Sequence, residues 1–450
     1  MSVVEALRNK NIVTIMRQSW AIGWPMTLIM FAIFLTGFAD VYVAGKFGKE
    51  IQAAYGLAYQ IFFVSSIVGF ALTVGGVSVT SMLFAGSKPR EYEQAVSTLF
   101  ISAGISGLII GAVLSKASSG IIAVFPLPEI LKSYTVPLLR IYATGAAAHF
   151  ILVNMNAVLR ASGRVRNSLV TMIVVCGLNI PLNFYLAFHT PLGYQGIGWA
   201  TVLSTLCGLG LNMFFLRGVI FRAARFSRAF LGRILHISWP AGLLQIFWQL
   251  GAMALYAILG LMPEHRVEIL AAFTNGLKIE AAIFLPAFAF NMANAVMMGK
   301  LTGERRCEDA FHSGLMTAAL GSIVVTLMTL TVMAAAPRIA GFLSDNPIVV
   351  AECTRYIYIS LLFEPIMAWG VILSGGLNGV GDTRSVMRII SLSIWMVRVP
   401  VSYFFGVISG IGPVAVWWAM NLSILCQTIF ITRHFYSRRW ETCKTAEAVV

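Results

Sequence analysis

The sequence has little charge for its length, and acidic residues are the scarcer sign. Of its 450 residues 11% are charged and 58% are apolar, and Asp and Glu together number 18 against 32 Lys and Arg. The mean hydropathy is +0.82. One soluble core could not bury this much apolar surface, so the composition excludes an ordinary soluble protein and predicts one that lies in a lipid bilayer.

Motifs for enzyme chemistry are also missing. The sequence contains no Walker loop, no HExxH and no GxSxG, and it has no soluble segment long enough to house nucleotide hydrolysis. The cysteines are scattered without CxxC or Cys/His spacing, so no metal site is expected. We therefore expect neither an enzyme nor an ATP-driven pump. No cofactor is expected, and the energy for any transport would come from an H⁺ or Na⁺ gradient.

What the chain does contain is a succession of long apolar segments. Each reaches the roughly 20 residues that a helix needs to cross about 30 Å of hydrocarbon. Because the segments are continuous rather than alternating, they favour helices over a β-barrel. The predicted fold class is an all-α polytopic membrane protein with twelve transmembrane helices, at about 18–44, 52–84, 95–114, 134–159, 167–188, 196–216, 237–261, 268–299, 314–336, 354–377, 386–408 and 412–432.

Short motifs recur in the two halves at a nearly constant distance. Ser19-Trp20 recurs as Ser238-Trp239, 219 residues later, and Gly163 recurs as Gly381, 218 residues later. Such a shift predicts a duplicated six-helix unit. The predicted organisation is an N-terminal lobe, a basic amphipathic cytoplasmic linker, a C-terminal lobe and a cytoplasmic tail, at 1–217, 218–236, 237–433 and 434–450.

Basic residues are concentrated in alternate connections. The side that holds the N-terminus and every second loop carries 22 Lys and Arg, against 6 on the other side. The positive-inside rule therefore predicts a multi-pass protein of the inner (plasma) membrane with both termini in the cytoplasm. The net charge of +14 is then a topology signal and not a sign of nucleic-acid binding. The expected partners are membrane lipid and small molecules, and a monomer is the expected state.

Asp40 is the foremost ionisable residue within an apolar segment. No basic residue lies within two turns before it, and Lys46 is expected among the outer lipid headgroups. A carboxyl group in apolar surroundings favours its neutral form, so it can hold a proton and lose it when water or a cation arrives. This chemistry predicts an ion-coupling site. The alternative is an interfacial residue that caps the turn before Gly45.

Two amides and a hydroxyl are expected to complete this site. Asn179 and Asn183 lie four residues apart on one helical face, and Thr201 lies at a similar depth in the next helix. Together with Asp40 they would form one polar cluster, although paired Asn residues also serve as interhelical contacts. Pro25 removes a backbone hydrogen bond from the first helix and is the expected hinge.

The second half carries ionisable residues of its own. Glu280 lies early in the eighth segment, and Glu364 lies at mid-depth in the tenth. We interpret them as a substrate site or a second coupling site, and the alternative is a structural ion pair between Glu364 and Arg398. The further side chains assigned to this site are polar, basic or aromatic: Gln245, Gln249, Lys278, Trp248 and Phe284.

These features resemble the multidrug and toxic compound extrusion (MATE) family over nearly the whole chain. The resemblance is carried by the pattern Phe38-Ala-Asp40-Val-Tyr-Val-Ala-Gly45, by the repeated Gly163 and Gly381 loops, and by Gly196-Ile-Gly198-Trp-Ala-Thr201. It implies two six-helix lobes in a V, related by a pseudo-two-fold axis along the membrane normal. It further implies export of organic cations in exchange for H⁺ or Na⁺ by alternating access.

Within that family, Asp40, Asn179, Asn183 and Thr201 look like the coupling-ion cluster of the first lobe. Many relatives have an aspartate where this chain has Asn183, which weakens a sodium site of hard oxygen ligands and favours proton coupling. The stretch from Leu277 to Pro286 is more similar to the DinF-like than to the NorM-like branch. The alternative function within the same superfamily is a lipid or lipid-linked saccharide flippase, which a wide cavity ringed by several Arg residues for phosphate would support.

Overall fold

Helices form all the regular secondary structure in the parts of the chain that the structure describes. The structure is a computed structural model, and it describes residues 10–124, 128–220, 226–344 and 346–441. Within these ranges no strand is found. The expected all-α class is therefore confirmed.

The described residues of the first half form seven helices. Their bounds are α1 Lys10–Lys46, α2 Lys49–Ser65, α3 Ile67–Ala85, α4 Pro89–Ala123, α5 Glu129–Ala161, α6 Val165–Phe188 and α7 Gln195–Ile220.

The described residues of the second half form further α-helices and two π-helical segments. Their bounds are α8 Arg228–Gly260, α9 Arg266–Gly303, α10 Cys307–Ala334, α11 Ala336–Leu343, α12 Pro347–Leu361, α13 Glu364–Gly379, α14 Thr383–Leu392, a first π segment Ser393–Arg398, α15 Val399–Tyr403, a second π segment Phe404–Ile408 and α16 Pro413–Tyr436.

The number of possible membrane spans agrees with the expected twelve. Among the described residues, eleven helices are long and apolar enough to cross a membrane, and α12 with α13 adds a twelfth if this bent pair is one span. The bend between α12 and α13 is 52°. Pro365 in the first turn of α13 explains the break, because proline lacks the backbone N–H that would continue the preceding helix.

Several predicted segments are longer or more broken than the hydropathy pattern indicates. The segment expected at 52–84 divides into α2 and α3 at Ser66. The segment expected at 386–408 contains both π-helical stretches, which flank Pro400. Apolar composition indicates which segments can enter lipid. It does not indicate where a helix breaks or changes to π-helical hydrogen bonding.

The chain divides into two compact units. The first unit is Leu28–Gly242, and the second combines the residues up to Thr27 with those from Leu243 onward. Two helices therefore change unit part-way: α1 at Thr27 and α8 at Gly242. A proline precedes each of these points by two residues, Pro25 in α1 and Pro240 in α8. The assignment of Pro25 as a hinge stays a prediction.

The bounds of these units differ from those of the predicted lobes, 1–217 and 237–433, which stay a prediction. The start of α1 packs in the second unit, where the Ser19 and Thr317 hydroxyl oxygens are 2.8 Å apart and Trp20 lies 6.2 Å from Phe290. The start of α8 packs in the first unit, where Ile234 is fully buried with residues of α3, α4 and α5. Side-chain contacts, and not loop positions, set these boundaries.

The described residues of the predicted linker and tail include helical and packed segments. Helix α7 continues to Ile220 and α8 begins at Arg228, so most of the linker at 218–236 is helical. Residues 221–225 of that linker lie outside the described residues. In the tail at 434–450, Trp440 stacks on Phe435 at 5.3 Å and Arg438 forms an ion pair with Glu308. Residues 442–450 lie outside the described residues.

Close glycine contacts join α9 to α13 in the second unit. Gly375 and Gly379 are four residues apart and thus share a helical face. A Cβ atom at Gly379 would lie 2.6 Å from the Cα of Ala295 and would also meet the carbonyl oxygen of that residue. Asn294 crosses the same contact, because its Nδ2 donates to the carbonyl of Ile372 at 2.8 Å. Helices can pack this closely only where small residues meet.

We expect Gly379→Ala to lower the free energy of unfolding by about 1–3 kcal/mol, because the added methyl group would force the two backbones apart. Thermal unfolding in detergent would measure the loss. Gly210→Ala in α7 is the matched control, since a Cβ atom there meets nothing within 4 Å. Equal unfolding midpoints for the two variants would contradict the close packing of α9 against α13.

Candidate functional site

Asp40 lies inside the first unit and is held by two hydrogen bonds. The residue is 4% exposed. Asn183 of α6 donates from Nδ2 to Asp40 Oδ1 at 2.5 Å, and the hydroxyl of Tyr55 of α2 donates to Oδ2 at 3.2 Å. Because both donors come from other helices, the carboxyl group joins three helices of the unit. The alternative of an interfacial residue that caps the turn before Gly45 does not fit this burial.

The other predicted members of the cluster are Asn179, one helical turn from Asn183 on α6, and Thr201 on α7. Asn179, four residues before Asn183 on α6, is 1% exposed. Its Nδ2 lies 3.3 Å from the Thr201 hydroxyl and 3.5 Å from that of Ser204, both on α7. The structure therefore brings Asp40, Asn179, Asn183 and Thr201 into one polar region of the first unit.

Tyrosines that the sequence analysis did not select form the wall of this region. Besides Tyr55, Tyr142 of α5 is 2% exposed and stacks on Phe62 at 5.4 Å. Tyr59 stacks on Tyr55 at 6.0 Å, one turn along α2. The four-residue spacing of Tyr55 and Tyr59 places them on one face of α2, and this spacing could have indicated their role in the sequence. Tyrosines in apolar helices more often anchor at the membrane interface, however.

Two buried oxygen atoms near Asp40, Asn179 Oδ1 and Asn183 Oδ1, have no hydrogen-bond partner among the described residues. Buried polar atoms are normally satisfied by protein or by water. A set of one carboxylate with amide and hydroxyl oxygens is chemically suited to a proton with its water, or to a small hard cation.

A second cluster lies within the second unit and is built around two carboxyl groups. Tyr356 of α12 donates its hydroxyl to Glu280 Oε2 on α9. The side chains of Glu280 and Glu364 also interact with each other, and Glu364, at the start of α13, is 1% exposed. Two adjacent carboxyl groups cannot both be ionised without strong repulsion, so this pair is suited to holding a proton.

Arg398 belongs to the same cluster but does not make the expected ion pair. Its Nε donates to the Ser423 hydroxyl at 2.8 Å, and its guanidinium carbon lies 5.6 Å from the centre of the Trp248 ring. Within the described ranges no carboxylate oxygen lies within the 4.0 Å of an ion pair with Arg398. The alternative interpretation of Glu364 as the partner of Arg398 in a structural ion pair is therefore wrong for this structure.

The remaining residues assigned to the second site are only partly brought together. Trp248 joins the cluster through Arg398. Phe284, one turn beyond Glu280, packs against the buried group of Met367, Val371 and Ile424. Lys278 is exposed, and Gln245 and Gln249 are half-buried without a hydrogen bond to the cluster in the described part of the chain. Charge and polarity in the sequence did not indicate on which side of each helix these side chains lie.

Comparison with known proteins assigns the chain to a class. The MatE family profile matches residues 25–185 and 240–404, a large part of each half. A MOP superfamily transporter from Pyrococcus furiosus has the same fold with a TM-score of 0.90 at 19% identity, and the match covers 99% of each chain. A MATE structure in complex with MaL6 has a TM-score of 0.89 at 19% identity, over 99% of this chain and 100% of that one. The fold and the profile define a polytopic membrane transporter, and the chain belongs to the MATE family.

Two named relatives are similar to this chain over most of their length. The probable multidrug resistance protein NorM of Thermotoga maritima is 25% identical over 425 residues, which are 90% of this chain and 89% of that protein. Multidrug resistance protein PmpM of Pseudomonas aeruginosa is 27% identical over 435 residues, 90% and 88% of the two chains. The chain thus belongs to the same family of transporters as these two multidrug resistance proteins, and it is not an enzyme. Its placement in the DinF-like branch stays a prediction.

We expect Asn183→Ala to lower the free energy of unfolding by about 1–3 kcal/mol at pH 8, because it removes the shorter of the two donors to a buried carboxylate. Thermal unfolding in detergent would measure the effect. Asn167→Ala, at a half-buried position in the first turn of the same helix, is the matched control. A loss for the control as large as that for Asn183→Ala would argue against the hydrogen bond as the cause.

Proposed function

We propose that this transporter exports amphiphilic organic cations in exchange for protons, with Asp40 as the coupling residue. The observation that carries the proposal is the position of Asp40, which is buried and bonded by Tyr55 and Asn183. Neither donor carries a positive charge, so the energy of this carboxyl group depends strongly on whether it holds a proton.

Protons are favoured over sodium by the composition of the cluster. Asp40 is accompanied by amides and hydroxyls, namely Asn179, Asn183, Thr201 and Ser204, and these supply neutral oxygens. In this set a sodium ion would have only one negatively charged ligand, which makes a weak sodium site. A proton needs only one carboxylate.

Alternating access would connect this chemistry to export. An outward-facing state takes up a proton at Asp40 and releases the compound, and an inward-facing state loses the proton and loads the next one. One proton moved inward across about 100 mV contributes about 2.3 kcal/mol. Export of a monovalent cation against the same potential costs an equal amount, so in a one-to-one exchange the concentration ratio comes from the pH gradient. Glu280 and Glu364 supply a second carboxyl pair, which we assign to contacts with the transported compound or to a further proton.

The proposed location is the plasma membrane, as a monomer with both termini in the cytoplasm. The distribution of Lys and Arg in the loops supports this orientation. Several of these residues lie beside the last helix, where Arg433 is in the final turn of α16.

We expect Asp40→Asn to reduce coupled efflux at least tenfold while the protein remains folded, because the amide cannot exchange a proton. Dye efflux from proteoliposomes, with a proton or a sodium gradient imposed, would measure it. Glu129→Gln is the matched control in the same unit, since the Glu129 side chain is 88% exposed and pairs only with Lys132. Undiminished proton-driven efflux by Asp40→Asn would refute the coupling role, and efflux driven equally well by sodium alone would refute the choice of ion.

We expect a green fluorescent protein fused after Val450 to fluoresce in cells, since that domain folds in the cytoplasm. Alkaline phosphatase fused at the same position should be inactive there. The same phosphatase fused after Gly193, in the connection between α6 and α7, is the control and should be active. The reverse pattern of activities would overturn the proposed orientation.

A further inference from the structure

We propose that Arg140 of α5, together with Lys116 and Ser119 of α4, binds the headgroup of an anionic phospholipid. The site lies where α4 ends and α5 begins, on the surface that these helices present to lipid. In the proposed orientation this is the outer side of the membrane. The inference goes beyond the proposed export, because it concerns a component of the bilayer that binds at the protein surface and is not transported.

The first argument is the depth of Arg140 in the membrane. The residue lies within the transmembrane segment expected at 134–159, twenty residues before Arg160 on the same helix. Twenty residues of helix span about 30 Å, the thickness of the hydrocarbon core. Because Arg160 lies in the last turn of α5, Arg140 lies near the headgroups of the opposite leaflet. Its long side chain can therefore reach a phosphate.

The second argument is the direction in which the Arg140 side chain is held. Side chains of a helix lean toward its N-terminus, which for α5 is the end at this leaflet. Arg140 Nε donates to the Ser118 hydroxyl at 3.0 Å, and Nη2 donates to the Ser119 hydroxyl at 3.2 Å. Both serines lie near the end of α4 at Ala123. The two hydroxyls thus fix the guanidinium at the level of the headgroups.

The third argument is the donor capacity that Arg140 has left. Within the described part of the chain, its Nη1 makes no hydrogen bond, and no carboxylate lies within the 4.0 Å of an ion pair. Lys132, two turns before it on α5, is already paired with Glu129 at 2.8 Å. Arg140 itself is exposed. Its remaining N–H groups are oriented in a plane, which suits the oxygens of a phosphate.

The fourth argument is the apolar surface of α4 that leads to these groups. Four large apolar side chains on one face of this helix are each more than half exposed: Ile105, Leu108, Ile109 and Val113. Lys116 and Ser119 continue the same face at intervals of three residues, and both are exposed. A face that is apolar and then becomes basic at its end matches a phospholipid, whose acyl chains lie below its phosphate.

The charge of the site favours an anionic lipid over a zwitterionic one. Lys116, like Arg140, forms no ion pair with any residue that the structure describes. The two side chains therefore present two positive charges to one headgroup. The ammonium group of phosphatidylethanolamine would be repelled by them, whereas phosphatidylglycerol carries the phosphate without a positive group.

Binding of lipids to the delipidated protein in detergent tests this inference. Native mass spectrometry would give the Kd of the first bound dioleoyl phosphatidylglycerol and that of phosphatidylethanolamine with the same acyl chains. We expect wild type to bind the anionic lipid at least threefold more tightly. Arg140→Gln and Lys116→Gln should each raise the Kd for the anionic lipid about fivefold, the effect of losing one basic residue beside an anionic lipid.

Two controls separate a lipid site from a general effect of charge. Arg266→Gln, at the exposed first residue of α9, removes one positive charge from the side of the membrane on which α9 begins, and it should change the Kd less than twofold. Inorganic phosphate should not displace the bound lipid, because it has no acyl chains to contact the apolar face of α4.

Each contrary result would overturn the inference. These results are a rise of less than twofold for Arg140→Gln, an equal rise for Arg266→Gln, a wild-type preference below threefold, and displacement of the lipid by inorganic phosphate. If Arg140→Gln does not fold, as judged by size-exclusion chromatography, Lys116→Gln decides by the same twofold limit. Lys116 is suited to this role because it is exposed and makes no hydrogen bond within the described ranges.

Discussion

A carboxyl group removed from water needs hydrogen-bond donors from the protein, and this requirement shapes the interior of both units. In the first unit, Asp40 takes donors from Tyr55 and Asn183 on two other helices. In the second, Glu280 takes the hydroxyl of Tyr356. Asp40 and Glu280 therefore each accept a hydrogen bond from a tyrosine of a neighbouring helix. Uncharged donors satisfy the carboxylate without neutralising it, so protonation still changes the energy of the site strongly.

The two halves of the chain repeat their backbone turns, but their buried polar groups differ. Both halves repeat their turn motifs at Gly163 and Gly381, which both have positive φ values. The buried groups nevertheless differ. The cluster of the first unit combines one acid with amides and hydroxyls, whereas that of the second combines two acids with Arg398. Two helical frames of similar design thus hold buried acids in different polar surroundings.

The polar residues that lie together in the first unit could mostly be predicted from the sequence, whereas the contacts of the second cluster could not. Asp40, Asn179, Asn183 and Thr201 were identifiable because polar residues are rare in apolar helices and each needs a partner. Tyr55 was missed because a tyrosine fits a membrane helix equally well as a lipid-facing residue. In the second unit the identity of Glu364 indicated a buried charge, but the expected ion pair with Arg398 is not formed.

The sequence by itself determined the membrane class, the number of spans and the duplication, because these follow from local hydropathy and from the spacing of motifs along the chain. Tertiary structure alone decided that α1 and α8 change unit at Thr27 and Gly242. It also decided that Arg398 bonds to Ser423 and not to a carboxylate. The physical reason is that hydropathy acts on each segment separately, whereas a hydrogen bond a few ångströms long depends on the rotation and depth of two helices packed together.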